Sequence, residues 1–147
     1  MTAKVLHGSE LGHTETIAED VADALGGVEA KSLADVKPAD LTGDHLYLLF
    51  CSSYGDGELP NTALDFAESL EGGARLDGVR FALFGLGDTS YTTFGDGPRT
   101  LRSLMLAAGA AEAAELIVHD VSTSQSAEDE AIAWAEKLAA ANSQPAR

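Results

Sequence analysis

The chain has 147 residues, of which 45% are hydrophobic and 22% charged, as expected for one globular domain with a single core. Its 24 Asp and Glu residues against 9 Lys and Arg give a formal net charge of −15, which argues against nucleic acid and anionic membrane surfaces as partners. One cysteine excludes an intramolecular disulfide, and no Cys/His cluster has the spacing of a metal site. Because neither a signal peptide nor a bilayer-length apolar stretch is present, we predict a cytoplasmic protein.

Apolar runs and amphipathic segments alternate along the chain. The pattern predicts strands over 3–7, 28–33, 45–51, 79–86 and 114–121, and helices over 14–25, 61–70, 98–108 and after a capping box at 126–129. The second helix is expected to carry Leu64, Ala67 and Leu70 on one side, and the connector 35–43 to form one helical turn. Cys51 closes a continuous apolar run, so we expect a small buried residue and not a nucleophile. Strands that alternate with helices indicate an α/β domain with a parallel sheet.

Three loops rich in glycine and hydroxyl residues each follow a predicted strand. They are HGSELGHTE at 7–15, CSSYGDGELPN at 51–61 and GLGDTSYTTFGDG at 85–97. In open α/β sheets, ligands bind beyond the carboxyl ends of the strands, where the strand order reverses, so the three loops predict one pocket. Tyr54 and Tyr91 give that pocket two aromatic faces. The combination suits a flat, phosphorylated ring.

The first loop has the features of a phosphate site without a lysine. It leads from a strand end into a helix start, where backbone N–H groups and the helix dipole favour an anion. Ser9 and Thr14 add hydroxyl donors, and Gly12 lets the backbone approach closely. A P-loop nucleotide site requires a lysine, and this loop contains no Lys or Arg. In the second loop, Gly55 can take either sign of φ, so its peptide can flip when a ligand changes its hydrogen bonding.

Over nearly its whole length the chain resembles flavodoxin-like FMN proteins. It is most similar to the short MioC-type flavodoxins and to the FMN domains of cytochrome P450 reductase and sulfite reductase. The resemblance rests on GSELGHTE, SSYGDGELPN, FALFGLGDTSYTTF and Trp134. It implies a doubly wound, five-stranded parallel sheet of order 2-1-3-4-5 with helices on both faces. It also implies a single FMN-binding domain over 1–141, which leaves 142–147 as a frayed tail.

The resemblance further implies which residues contact FMN. The first loop wraps the phosphate, and the second runs along one flavin face with Tyr54 stacked and Gly55 near N5. Tyr91 covers the other face, with residues 86–88 at the ring and ribityl edges. The predicted cofactor-binding residues are Ser9, Glu10, Leu11, Gly12, His13, Thr14, Ser52, Ser53, Tyr54, Gly55, Asp56, Gly57, Leu86, Gly87, Asp88, Tyr91, Phe94 and Gly95.

Two of these residues depart from the pattern of many family members. Leu11 stands where threonine is common, which removes a phosphate hydroxyl but keeps the backbone N–H; MioC-type chains also carry leucine there. His13 stands where asparagine is common, and it either donates to the phosphate or faces solvent. The departures bear on FMN affinity and not on the identity of the cofactor.

Acidic residues accompany the three loops. They are Glu10, Asp56, Glu58, Asp88 and Asp96, and the loops contain no basic residue. We expect this negative rim to lower the potential for adding the second electron to the flavin and to attract a basic partner. The resemblance implies a one-electron carrier between a basic-surfaced NAD(P)H-dependent flavodoxin/ferredoxin reductase and an acceptor redox enzyme. In such a carrier no side chain performs covalent or acid–base chemistry.

Three other functions are compared with the carrier. An FMN-dependent NAD(P)H:quinone reductase needs room and positive charge for a dinucleotide, and the chain has no added segment or loop arginine for it. A signalling receiver domain needs an aspartate closing the third strand and a lysine closing the fifth. This chain has no aspartate at 51–52 and no lysine at 119–121, which are the corresponding positions. A binding module that has lost FMN is opposed by the two retained loop tyrosines.

Overall fold

A computed structural model describes residues 2–8, 13–52, 61–87, 96–120 and 126–142. The strands are Thr2–Gly8 (β1), Ala30–Ser32 (β2), His45–Ser52 (β3), Arg80–Gly87 (β4), Ala111–Glu112 (β5) and Ile117–Asp120 (β6). The helices are His13–Ala24 (α1), Asn61–Glu71 (α2), Asp96–Ala107 (α3) and Ala127–Asn142 (α4). Two short 3-10 turns, Leu33–Asp35 and Pro38–Asp40, follow β2, and the second lies within the connector 35–43 for which the sequence predicts one turn. Of the helices described, none has both the length and the hydropathy of a membrane span.

The sheet is parallel, and its central strands run in the order β2-β1-β3-β4-β5, with β6 also paired to β4. This confirms the doubly wound parallel sheet of order 2-1-3-4-5. The chain moves from β1 outward to β2 and then returns to place β3 on the other side of β1. The winding therefore reverses between β1 and β3, which is where such sheets bind their ligands.

The fifth strand position differs from the prediction. Two short strands occupy it: Arg80 and Phe81 pair with β5, and residues 84–87 pair with β6. The predicted strand over 114–121 is therefore wrong in its first part. The physical reason lies in the side chains: alanine and glutamate at 113–115 have little preference for strands, whereas β6 begins at the β-branched pair Ile117 and Val118.

Two hydrophobic layers cover the sheet, one on each face. One layer packs α2 and α3 against side chains such as Leu49, Cys51 and Leu83. The other packs α1 and α4 against the alternate positions, including Phe50 and Phe84. Cys51 is fully buried, and burial raises the pKa of its thiol to about 12. The expectation of a small buried residue at this position is confirmed.

The orientation of α2 also differs from the prediction. The buried side chains are those of Ala63, Phe66, Ala67 and Leu70. Leu64, which the sequence places on the same side as Ala67 and Leu70, is 40% exposed and lies outside the buried stripe. The spacing i, i+3, i+4, i+7 from Ala63 gives a stripe that buries the larger Phe66, and this stripe leaves Leu64 to one side.

The end of α3 and the start of α4 follow from local sequence. Gly109 ends α3 with a φ of 101°, a conformation that glycine adopts without a Cβ clash. Its N–H donates to the Leu106 carbonyl and the Ala110 N–H to the Met105 carbonyl, which is a Schellman motif. At the start of α4, the Ser126 hydroxyl accepts from the Asp129 N–H at 3.2 Å, as a capping serine does.

A candidate cofactor site at the carboxyl edge of the sheet

Four strands end together at one edge of the sheet. Gly8 of β1 aligns with Cys51 of β3, and Cys51 aligns with Gly85 of β4. One position further along, Ser52 aligns with Leu86. Gly87 in turn aligns with Asp120 of β6. The strands β1, β3, β4 and β6 therefore end at this carboxyl edge, and the predicted loops that follow them lie outside the described residues.

The structure describes only part of the predicted cofactor site. Thr14, Ser52 and Leu86 are described with their side chains, and His13 and Gly87 by their backbone alone. The other predicted residues lie outside the described residues, and they are Ser9, Glu10, Leu11, Gly12, Ser53, Tyr54, Gly55, Asp56, Gly57, Asp88, Tyr91, Phe94 and Gly95. Their contacts with a cofactor stay predictions.

The start of α1 has the chemistry of an anion site. The helix begins at His13, separated from the end of β1 by residues 9–12 alone. The first N–H groups of a helix have no carbonyl partner within it, and the helix dipole makes this end positive. Thr14, in the first turn, is 2% exposed. These backbone dipoles could hold a phosphate without a lysine.

Two glycines allow helices to lie close to the sheet at this edge. A Cβ on Gly85 would lie 2.6 Å from Pro98 Cγ and 2.8 Å from Pro98 Cβ, so only glycine fits beneath the first turn of α3. A Cβ on Gly8 would lie 3.0 Å from Ala63 Cβ in the first turn of α2. In the sequence Gly85 stands at the start of a predicted ligand loop, but in the structure it packs against a helix.

Two buried histidines stand at the same edge, and neither is among the residues predicted to bind the cofactor. His7, near the end of β1, is 5% exposed; burial lowers its pKa, although Glu15 and Glu19 act in the opposite direction. His119, near the end of β6, is 4% exposed, and its Nδ1 lies 2.6 Å from Glu130 Oε2. The sequence signal that could have singled out His119 is its position late in an apolar run. Its pairing with a residue of the next helix depends on tertiary structure.

An aromatic cluster lies behind the edge on the α1 and α4 face. The Trp134 ring contacts Phe50 and Phe84, with centroid distances of 5.6 and 5.4 Å. Phe84 also stacks on His119, with centroids 6.5 Å apart and an interplanar angle of 17°. Trp134 Nε1 is buried and has no hydrogen-bond partner in the structure as described. The late tryptophan of the family resemblance thus packs beneath the sheet edge.

Charge at the edge is mostly negative among the described residues. The first turn of α4 carries Glu128, Asp129 and Glu130, and the first turn of α1 carries Glu15. A hydrogen bond with Asp20 raises the pKa of the exposed Glu128 carboxyl. Arg99 is exposed in the first turn of α3, so a basic residue does lie close to the third loop. Across the described ranges, no group of three or more His, Cys, Asp or Glu converges as a metal site.

Comparison with known proteins places the chain in a family. The family model described as Flavodoxin matches residues 5–134, which is most of the chain. The chain belongs to the flavodoxin family. Members of this family bind FMN, and the family resemblance predicted from the loop sequences is therefore confirmed.

Individual relatives of this flavodoxin agree with the family match. The sulfite reductase [NADPH] flavoprotein alpha-component of Neisseria meningitidis serogroup B is 31% identical over 142 residues, which are 92% of this chain and 23% of that protein. Protein MioC of Escherichia coli O157:H7 is 29% identical over 133 residues, 88% of this chain and 90% of MioC. A solved flavodoxin of Streptococcus pneumoniae TIGR4 is 30% identical with a TM-score of 0.78, covering 96% and 99% of the two chains. The chain thus spans less than a quarter of the sulfite reductase flavoprotein.

Proposed function

We propose that this flavodoxin binds FMN at the carboxyl edge of its sheet and carries single electrons between a reductase and an acceptor redox protein. One observation carries the proposal: β1, β3 and β4 end in register at the point where the winding reverses. Helix α1 begins at His13, shortly after β1 ends at Gly8. This is the place where a doubly wound sheet holds a phosphorylated cofactor.

The chemistry at the start of α1 supports the phosphate end of the proposed site. Backbone N–H groups at the start of α1 would hold the phosphate, and the hydroxyls of Ser9 and Thr14 would add donors. The short segment 9–12 contains neither Lys nor Arg, so the negative charge would be met by neutral dipoles.

The remaining predicted residues would hold the ring. Leu86 is 3% exposed at the end of β4 and would give the ring an apolar border. Tyr54 and Tyr91 would stack on its two faces and exclude water. Bound FMN supplies the one-electron chemistry, and the chain binds it, orients it and tunes its potential.

Reductase and acceptor partners are proposed from the relatives and from charge. One relative is named as an NADPH sulfite reductase component and another as an NADPH-dependent diflavin oxidoreductase. By analogy, the donor for this chain would be an NAD(P)H-dependent reductase. The net charge of −15 and the acidic first turns of α1 and α4 would favour partners with basic surfaces. Nothing in the described residues favours the alternative of a quinone reductase.

FMN titration with matched tyrosine variants tests the site. We expect the purified apoprotein to take up FMN, with a shifted visible spectrum and quenched flavin fluorescence. Tyr91→Leu should weaken FMN binding about tenfold, or about 1.4 kcal/mol, because one stacking face is lost. Tyr47→Phe is the control, since Tyr47 is buried in the core and its hydroxyl accepts from the Thr42 N–H, away from the carboxyl edge.

Two outcomes would contradict the proposal. Failure of the wild-type protein to take up FMN would show that the chain does not use this cofactor. Equal affinities of wild-type and Tyr91→Leu, together with a loss of affinity in Tyr47→Phe, would place the ring elsewhere.

A further inference from the structure

His119 is a buried ionisable side chain at the cofactor edge to which the proposed function assigns no task. It lies on β6, and its Cα is aligned with that of Leu86 on β4. Leu86 and the following Gly87 are predicted to border the flavin ring. The histidine therefore lies on the strand next to the one that carries Leu86, with 4% of its surface exposed.

The surroundings of His119 combine one carboxylate with apolar side chains. Its Nδ1 lies 2.6 Å from Glu130 Oε2, and the side chains are 3% and 38% exposed respectively. From β4, Phe84 stacks on the imidazole ring and Leu86 lies beside it in register. Glu130 is the charged group in contact with the ring among the described residues, and its exposed part connects the pair to water.

Other charged residues surround this pair at longer range. Glu128 and Asp129 share the first turn of α4 with Glu130. Asp20 of α1 faces α4 through its hydrogen bond with Glu128. Each of these groups is acidic, and none of them brings a positive charge toward the imidazole.

A buried charge acts over a longer distance than an exposed one because the protein interior screens it less than water does. An electron added to a cofactor at the sheet edge brings a negative charge, which stabilises a proton on a nearby imidazole. Linkage makes this effect reciprocal, so a protonated imidazole equally favours the added electron. A buried histidine beside the edge is placed to couple the two events.

We propose that His119 is a redox-linked proton site: it gains a proton when FMN bound at the carboxyl edge is reduced. This inference rests on the proposed function. The electron comes from the reductase and the proton from solvent, and no other bond of the chain is made or broken. The Nδ1–H donates to Glu130 before and after the step, and the added proton is held on Nε2.

Nuclear magnetic resonance of histidine-labelled, FMN-loaded protein tests the proposal directly. The ring signals are followed from about pH 5 to 9 in the oxidised and in the anaerobically reduced protein. We expect reduction to raise the proton affinity of His119 about fivefold, at the lower end of typical coupling between two sites. His45 begins β3 at the opposite edge of the sheet and should titrate alike in both states, so it serves as the internal control.

Potentiometry of variants gives an independent measurement. The midpoint potential of wild-type protein should depend on pH through His119, and His119→Gln should lose that part of the dependence. His45→Gln should retain it. Glu130→Gln keeps a hydrogen-bonding group but removes the carboxylate, so the pH-dependent range should move to lower pH. A purely structural contact would change stability in these variants without moving the pH range.

Each result decides the proposal. Identical titrations of His119 in the two redox states overturn it, and so does an unchanged potential–pH curve in His119→Gln. If that variant does not fold, the wild-type titration alone gives the answer. Lack of FMN uptake is observed before any titration and overturns the proposed function as well. A loaded protein whose His119 is insensitive to reduction overturns this inference alone.

Discussion

At the scale of single residues, environment separates side chains of the same type. His7 and His119 are both buried at the carboxyl edge, but only His119 is described with a carboxylate at hydrogen-bonding distance. His45 lies at the opposite edge, where its Nδ1 is buried without a partner among the described residues. The sequence shows three histidines in or beside strands. It does not tell which of them pairs with a carboxylate, because that depends on which helix covers each one.

Cys51 gives a pH-dependent prediction at this scale. Burial raises the pKa of its thiol from 9.0 to about 12, so only the unfolded chain gains stability by losing the proton between those values. Its contribution to stability is complete below pH 9 and is lost as the pH rises. Wild-type protein should therefore lose about 1 kcal/mol more than Cys51→Ala between about pH 9 and 10, as measured by urea unfolding. Parallel pH profiles for the two proteins would contradict this.

At the scale of elements, the sequence predicts which segments form helices and strands better than how each is oriented. The continuous apolar runs of β3 and β4 are sufficient to identify central strands, since both of their faces must be buried. The orientation of α2 could not be predicted in the same way, because two apolar stripes overlap on that helix. Packing of Phe66 against the sheet determines which stripe is buried, and this packing is a long-range contact.

Two alanine substitutions test the orientation of α2. Phe66→Ala should lower the free energy of unfolding by about 3–5 kcal/mol, because it leaves a cavity in a fully buried site. Leu64→Ala should change it by no more than about 0.5 kcal/mol, because Leu64 already faces solvent. Chemical unfolding of both variants measures the difference. Similar losses for the two would mean that the helix buries the stripe predicted from the sequence.

At the scale of the whole molecule, the loop sequences were sufficient to predict the family and the sheet order. They could not supply the alignment of the strand ends, which determines what surrounds the site. The loop sequence predicts Leu86 as a cofactor-binding residue. Its neighbour His119 is in register with it but lies 33 positions further along the chain. Net charge is also a property of the whole molecule. Its effect on partners depends on where the charged residues lie as well as on their sum.

Ionic strength should control how fast a reductase reduces this flavodoxin. Raising the salt from about 0.01 to 0.15 M shortens the Debye length from about 30 to 8 Å, and we expect the second-order rate constant to fall about tenfold or more. The measurement is stopped-flow reduction of FMN-loaded protein by a basic-surfaced reductase.

Paired variants locate the effect on the surface. Glu15→Gln with Asp129→Asn removes two charges near the carboxyl edge, and should reduce the salt dependence. Asp44→Asn with Glu71→Gln removes the same charge at exposed positions beside the start of β3 and at the end of α2. This second pair should have a smaller effect. A rate that does not respond to salt, or equal effects of the two pairs, would rule out docking at the carboxyl edge.

The divided strand at the border of the sheet also bears on how molecules of this protein behave toward one another. The outer strands are short: β2 has 3 residues, β5 has 2 and β6 has 4. An outer strand with unpaired N–H and C=O groups can recruit a strand from another molecule, and a short or interrupted one does this poorly. A continuous strand over 114–121 would have offered a longer template. The interruption at 113–116 therefore protects the protein in concentrated solution against edge-to-edge aggregation, in which outer strands of two molecules pair.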